Sequence, residues 1–153
     1  MSENVILIAG LPGSGKTTHL CQMLRDGWLV FDDYKAQAFE DCSKFGSSRK
    51  FLPLISALRS GLRCAVADID FCRAESREEA ESLLFTIVPG LKLRWLFFEN
   101  DSSACEANVK SRDRRQLQTE LENIRRYSKS FNIPQGAEVL PVSRDAGGRD
   151  TEN

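Results

Sequence analysis

The sequence predicts an α/β protein, a five-stranded parallel sheet layered between helices as an αβα sandwich. Three observations predict it. Five apolar runs, at 5–9, 28–31, 63–67, 91–98 and 139–142, recur along the 153 residues. Stretches with helical spacing of apolar residues separate them, the alternation that builds a parallel sheet covered on both faces. And the first run passes through a glycine-rich turn directly into a helix, the arrangement of a βα unit.

Each element follows from local chemistry. Residues 5–9 (VILIA) are unbroken and rich in β-branched side chains, as a strand buried on both faces requires. A helix is expected over 17–25, with Leu20 and Leu24 one turn apart. The second run, 28–31 (WLVF), ends at Asp32-Asp33. Residues 34–60 read as helical, interrupted near 46–48 and at Pro53, with Gly61 as a stop. The third strand, 63–67, ends at Asp68. Ser76-Arg77-Glu78-Glu79 has the form of a capping box and is expected to open a helix that closes at Pro89-Gly90. The fourth strand is 91–98. A second box, Ser103 to Glu106, opens helical sequence to about 130, divided by the charged patch 110–115. Beyond the patch Leu117, Leu121, Ile124, Tyr127 and Phe131 share one face. A fifth strand is placed at 139–142, and 145–153 is a polar tail. One domain over 1–144 is the expected organisation.

The turn after the first strand carries the chemistry. Gly10-Leu11-Pro12-Gly13-Ser14-Gly15-Lys16-Thr17 satisfies G-x-x-x-x-G-K-[ST] between a strand and a helix, the phosphate-loop arrangement. Glycines let successive N–H groups turn toward an anion, and the helix start adds partial positive charge. Leu11, Pro12, Gly13, Ser14, Gly15, Lys16, Thr17 and Thr18 are therefore the expected nucleotide-binding residues. Lys16 is the expected charge partner of the terminal phosphates and Thr17 a ligand of Mg²⁺.

Composition removes other classes. A net charge of −1 supplies no global field toward nucleic acid or membrane. No apolar run approaches a membrane span. The first strand starts at Val5, so no secretory leader is expected and a cytoplasmic location is. Five cysteines without a C-x-x-C pair, and a single histidine, His19, argue for reduced thiols rather than a zinc site or a disulfide framework.

The phosphate could serve a GTPase, an ATPase motor or a kinase. The guanine-reading N-K-x-D is absent from the sequence, which favours ATP over GTP. The residue after Asp68 is Ile69, not the glutamate a motor would use. A kinase needs an acid beside the acceptor hydroxyl, a metal site and arginines on the transferring group. Asp32 or Asp33 can be the acid, Thr17 and Asp68 can serve the metal, and Arg112, Arg114 and Arg115 can serve the phosphoryl group. Asp70 reads as a turn or cap residue. An ATPase or nucleotide switch without acceptor, and a degenerate nucleotide-binding module acting through a protein partner, remain the alternatives.

Gly10 to Thr17, followed by Asp32-Asp33-Tyr34-Lys35, resembles the polynucleotide-kinase and zeta-toxin branch of the small P-loop kinases. The resemblance extends through Val66-Ala67-Asp68, 105–112 and 139–142. It implies a P-loop NTPase fold with kinase-like strand order 2-3-1-4-5, ATP and Mg²⁺ as cofactors, and a short lid near 109–116. It implies Asp32 as general base on the acceptor hydroxyl, Lys35 and Asp68 at the acceptor, and Arg112 as the lid arginine. Lys35 stands where that branch has an arginine, so the bidentate fork is missing. The acceptor stays open: a 5′-hydroxyl of a nucleotide or polynucleotide, or a small molecule.

Overall fold

The computed structural model describes residues 3–32, 52–112 and 116–143, with Asp32 and Leu52 described for the backbone alone. Among these, five strands form one parallel sheet in the order β2-β3-β1-β4-β5. They are β1 (Val5–Ala9), β2 (Leu29–Asp32), β3 (Cys64–Ala67), β4 (Leu93–Phe98) and β5 (Val139–Leu140). Flanking them are α1 (Lys16–Arg25), α2 (Leu52–Arg59), α3 (Ala74–Ile87), α4 (Ser102–Lys110) and α5 (Leu117–Ser128). A 3₁₀ turn, Ile69–Cys72, joins β3 to α3.

β1 is the centre of the sheet, and its composition explains why. Val5 pairs with Cys64 on one side and with Leu93 on the other. Helices cover both faces, and every β1 side chain is buried. The core continues through Leu20 of α1, Leu54 and Leu58 of α2, Leu84 of α3, Phe97 of β4 and Ile124 of α5. Phe71, Trp95, Phe97 and Phe131 meet in a chain of edge and stacked ring contacts, arrangements aromatic pairs favour. Among the described residues no helix is long and apolar enough to cross a membrane.

The expected element boundaries shift where a tertiary partner takes over. β2 starts at Leu29, because Trp28 N–H is spent on Met23 O at 3.1 Å in the turn closing α1. Pro53 is the second residue of α2, which runs on past it to Arg59, and the helical sequence expected before it lies outside the described residues. Residues 33–51 lie outside the described residues. Neither capping box forms. α3 begins at Ala74 after Arg73 with no side-chain cap, and Ser76 lies inside it. What holds this start is Arg77, buried, whose guanidinium donates to Phe71 O at 2.8 Å and to Asn132 O and Oδ1 at 3.1 Å. α4 is capped by Asp101, whose Oδ1 accepts from Ala104 N–H at 3.1 Å, so Ser103 is a residue of the first turn. β5 ends at Leu140 because Pro141 has no N–H for a ladder. Val142 N–H turns to Glu99 Oε1 at 3.2 Å.

A cleft at the carboxyl ends of the strands

The loop between β1 and α1 is shaped by two glycines in left-handed conformations. Gly13 has φ 83° and Gly15, the N-cap of α1, has φ 112°. A Cβ on Gly13 would stand 2.6 Å from Cys105 O, so the loop can lie on α4 only without one. Asn108 fastens it there. This buried amide donates to Gly13 O at 2.8 Å and to Ser143 O at 2.9 Å, joining the loop to the chain beyond β5. The start of α1 carries no side-chain cap and no acidic residue in its first turn. Ser14 Oγ is buried and has no hydrogen-bond partner among the described residues. An uncapped helix start, left-handed glycines and an orphaned hydroxyl fit a phosphate group. Lys16 Nζ donates to Gly10 O at 2.6 Å and to Leu11 O at 3.0 Å, which holds the ammonium over its own loop.

The loop forms one wall of a cleft of about 470 Å³. Pro12, Gly13, Gly15, Lys16, Thr17 and Thr18 line it, whereas Leu11 and Ser14 are buried beneath. The end of β3 forms its floor with Ala67, Asp68 and Ile69. Asp68 is buried, and its Oδ1 accepts from Asp70 N–H at 2.9 Å. Asp70, in the 3₁₀ turn, in turn accepts from Tyr127 Oη at 3.0 Å. This chain ties the floor to α5. The far wall is Arg112 together with Gln116, Thr119, Glu120 and Asn123.

Of the expected site residues, the structure therefore brings Pro12, Gly13, Gly15, Lys16, Thr17, Thr18, Asp68 and Arg112 to one cleft. Asp32 ends β2 with its Cα paired to Ala67, one residue before Asp68 on the neighbouring strand. Its side chain, and Asp33, Lys35, Arg114 and Arg115, lie outside the described residues. Among the described residues no group of three or more His, Cys, Asp or Glu could form a protein-only metal cage. A hydroxyl at Thr17 and a carboxylate at Asp68, completed by phosphate oxygens and water, fit Mg²⁺, which rarely takes such a cage.

His19 is half-buried edge-on to Phe98 and does not line the cleft. Burial lowers its pKa, with Arg94 acting in the same direction. Burial pushes the Cys72 thiol up to about 12 and the Cys105 thiol to about 11, so both are inert thiols under the loop.

Sequence reasoning missed Asn108 and the polar face of α5. No motif marks Asn108. The spacing 116, 119, 120, 123 is a helical face, but a polar face ordinarily reads as solvated.

No protein-family profile matches the chain, and no curated protein matches it. Solved structures do. A provisionally named kinase from Chloroflexus aurantiacus superposes with TM-score 0.58 at 20% identity, over 92% of this chain and 84% of that one. A sugar kinase from Janibacter sp. HTCC2649 gives 0.53 at 13%, over 99% and 91%. A gluconokinase from Sinorhizobium meliloti 1021 gives 0.50 at 16%, over 94% and 84%. Together with the strand order and the glycine loop, these likenesses show that the chain has the α/β P-loop fold in its kinase-like form.

Proposed function

We propose that the protein binds ATP with Mg²⁺ in this cleft and transfers the γ-phosphoryl group to a hydroxyl of a second substrate. The observation that carries the reading is the facing of the phosphate loop by Arg112 across one cleft with a buried strand-end acid on its floor. That geometry suits a reaction whose catalysis is positioning and charge neutralisation. The absence of N-K-x-D supports ATP over GTP. The resemblance to the polynucleotide-kinase and zeta-toxin branch, and the kinase names of the solved structures, support an alcohol acceptor.

The acceptor oxygen bonds to the γ-phosphorus as the bond from that phosphorus to the β–γ bridging oxygen breaks. The bridging oxygen leaves with the electron pair as part of ADP. The hydroxyl proton passes to a carboxylate, and Asp32, whose Cα pairs with Ala67 at the end of β2, is assigned that role. Lys16 and Arg112 offset charge on the transferring group, and Lys35 contacts the acceptor. Thr17 and Asp68 would hold Mg²⁺, whose chemistry is to neutralise phosphate oxygens. Segment 109–116 acts as the lid.

The test is transfer from γ-labelled ATP to a panel of hydroxyl compounds, run with Asp32→Asn alongside. Transfer should appear for one acceptor class. The variant should keep its ATP affinity and lose about 10²–10⁴-fold in rate. ATP hydrolysis with the same Asp32 dependence and no phosphorylated acceptor would replace this reading by an ATPase or nucleotide switch. An intact fold that binds no ATP would leave a binding module.

A further inference from the structure

The floor of the cleft is a strand end followed by a short turn. Asp68 ends β3 there and is 3% exposed. The 3₁₀ turn after it spans Ile69–Cys72. Its backbone bonds include Phe71 N–H to Asp68 O at 3.1 Å and Arg73 N–H to Asp70 O at 3.0 Å. Bonds of this type are poorly aligned, so a single 3₁₀ turn keeps its shape best when something outside grips it. Helix α5 grips it at two points. The Tyr127 hydroxyl donates to Asp70 Oδ1 at 3.0 Å, and the Arg73 guanidinium lies 4.3 Å from the centroid of the Tyr127 ring. Tyr127 is buried on the same helix face as Leu121 and Ile124, which fixes where its hydroxyl stands. Asp70 is thus held by its side chain while its backbone N–H donates to Asp68 Oδ1 at 2.9 Å. A line of hydrogen bonds runs from the Tyr127 hydroxyl through Asp70 to the Asp68 carboxylate. Asp68 lines the cleft and Asp70 does not, so the two acids have different tasks.

Resting on the phosphotransfer reading above, in which Asp68 helps to hold Mg²⁺, we infer that Asp70 and Tyr127 are positioning residues for that metal. Their bonds set the plane of the Asp68 carboxylate before metal and nucleotide arrive. A carboxylate at a strand end turns about two side-chain bonds, and a donor on Oδ1 selects one orientation. Mg²⁺ demands near-ideal octahedral geometry, so a ligand in the wrong plane loses affinity. Groups that orient a ligand without touching the metal commonly change metal affinity tenfold or more when removed. A contact that only packed α5 against the turn would act differently. Its loss would lower stability and leave metal affinity where it was.

The experiment uses the full chain, a non-hydrolysable ATP analogue, and Mn²⁺, which takes the same oxygen ligands as Mg²⁺. Electron paramagnetic resonance reads bound Mn²⁺, and calorimetry reads the analogue with and without metal. Asp70→Ala and Tyr127→Phe should each weaken Mn²⁺ binding to the protein–nucleotide complex about tenfold and leave metal-free nucleotide binding within about twofold. The double variant should be no weaker than either single one, because both act through one bond. Asp70→Asn keeps the backbone N–H and an acceptor oxygen, and should bind Mn²⁺ within about twofold of the parent protein. Asn100→Ala removes bonds to Ser128 O and Phe131 O at the end of α5. It should lower stability and leave Mn²⁺ affinity unchanged. Tyr127→Phe decides the case by itself where Asp70→Ala does not fold. Unchanged Mn²⁺ affinity in Tyr127→Phe, with a loss in Asp68→Asn, overturns this inference and leaves the phosphotransfer reading standing. So does an equal loss in Asn100→Ala. An Asp68→Asn variant that binds Mn²⁺ normally removes the metal role of Asp68 and this inference with it. A nucleotide complex that takes up no metal removes both this inference and the phosphotransfer reading.

Discussion

The two walls of the cleft are made of different material. The loop wall, 12–18, is shaped by backbone, with left-handed glycines, an uncapped helix start and an amide of Asn108 pinning a carbonyl, and it carries the Lys16 ammonium and the Thr17 and Thr18 hydroxyls. The α5 wall is side chains on a rigid helix, half-exposed at Glu120 and Asn123. Backbone donors are the same in any sequence that can make the turn, so the loop wall can read only what all nucleoside triphosphates share. Side chains vary freely on a helix whose other face is packed, so the α5 wall can specify a partner.

Breaking the loop wall should have the larger consequences. Lys16→Ala removes the ammonium held by Gly10 O and Leu11 O. It should lower kcat/KM about 10³-fold or more and abolish tight ATP binding, with an unchanged far-ultraviolet circular dichroism spectrum. Unaltered ATP affinity by calorimetry would detach the loop from phosphate. Arg112→Ala, across the cleft, should cost about 10²–10³-fold in kcat with a smaller change in ATP affinity. Equal loss in both would make Arg112 a ground-state binding residue.

Two further substitutions sharpen the contrast through stability. Asn108→Ala strips hydrogen bonds of 2.8 and 2.9 Å from Gly13 O and Ser143 O in a buried place. It should destabilise the protein by about 1–3 kcal/mol in denaturant unfolding and raise the ATP KM. A stability loss with an unchanged ATP KM would mean that the loop keeps its shape without this pin. Tyr127→Phe removes the donor to Asp70. The expected cost is smaller, about 1 kcal/mol in denaturant unfolding.

The fold was legible for a physical reason. β1 lies between β3 and β4 with both faces covered, so Val5–Ala9 must be continuously apolar, and the reading of a central strand follows. The glycine loop was legible because its φ values exclude most other residues at Gly13 and Gly15. The strand order 2-3-1-4-5, implied by resemblance, is the observed one. Helix starts were less legible. S-x-x-E is a local pattern, and at α3 the non-local bonds of buried Arg77 hold the start, while at α4 Asp101 capped first.

The sequence by itself determined the βα alternation, the phosphate loop and the division of the helical stretch at 110–115, because each rests on short-range constraints: side-chain periodicity, backbone freedom at glycine, and charge. Tertiary structure alone decided that Asn108 would span 95 residues to Gly13, that Tyr127 would reach across 57 to Asp70, and that the polar face of α5 would border the cleft. A polar helix face carries the same pattern whether or not it borders a cleft. Which setting it occupies depends on where packing of the opposite, apolar face against the sheet places the helix.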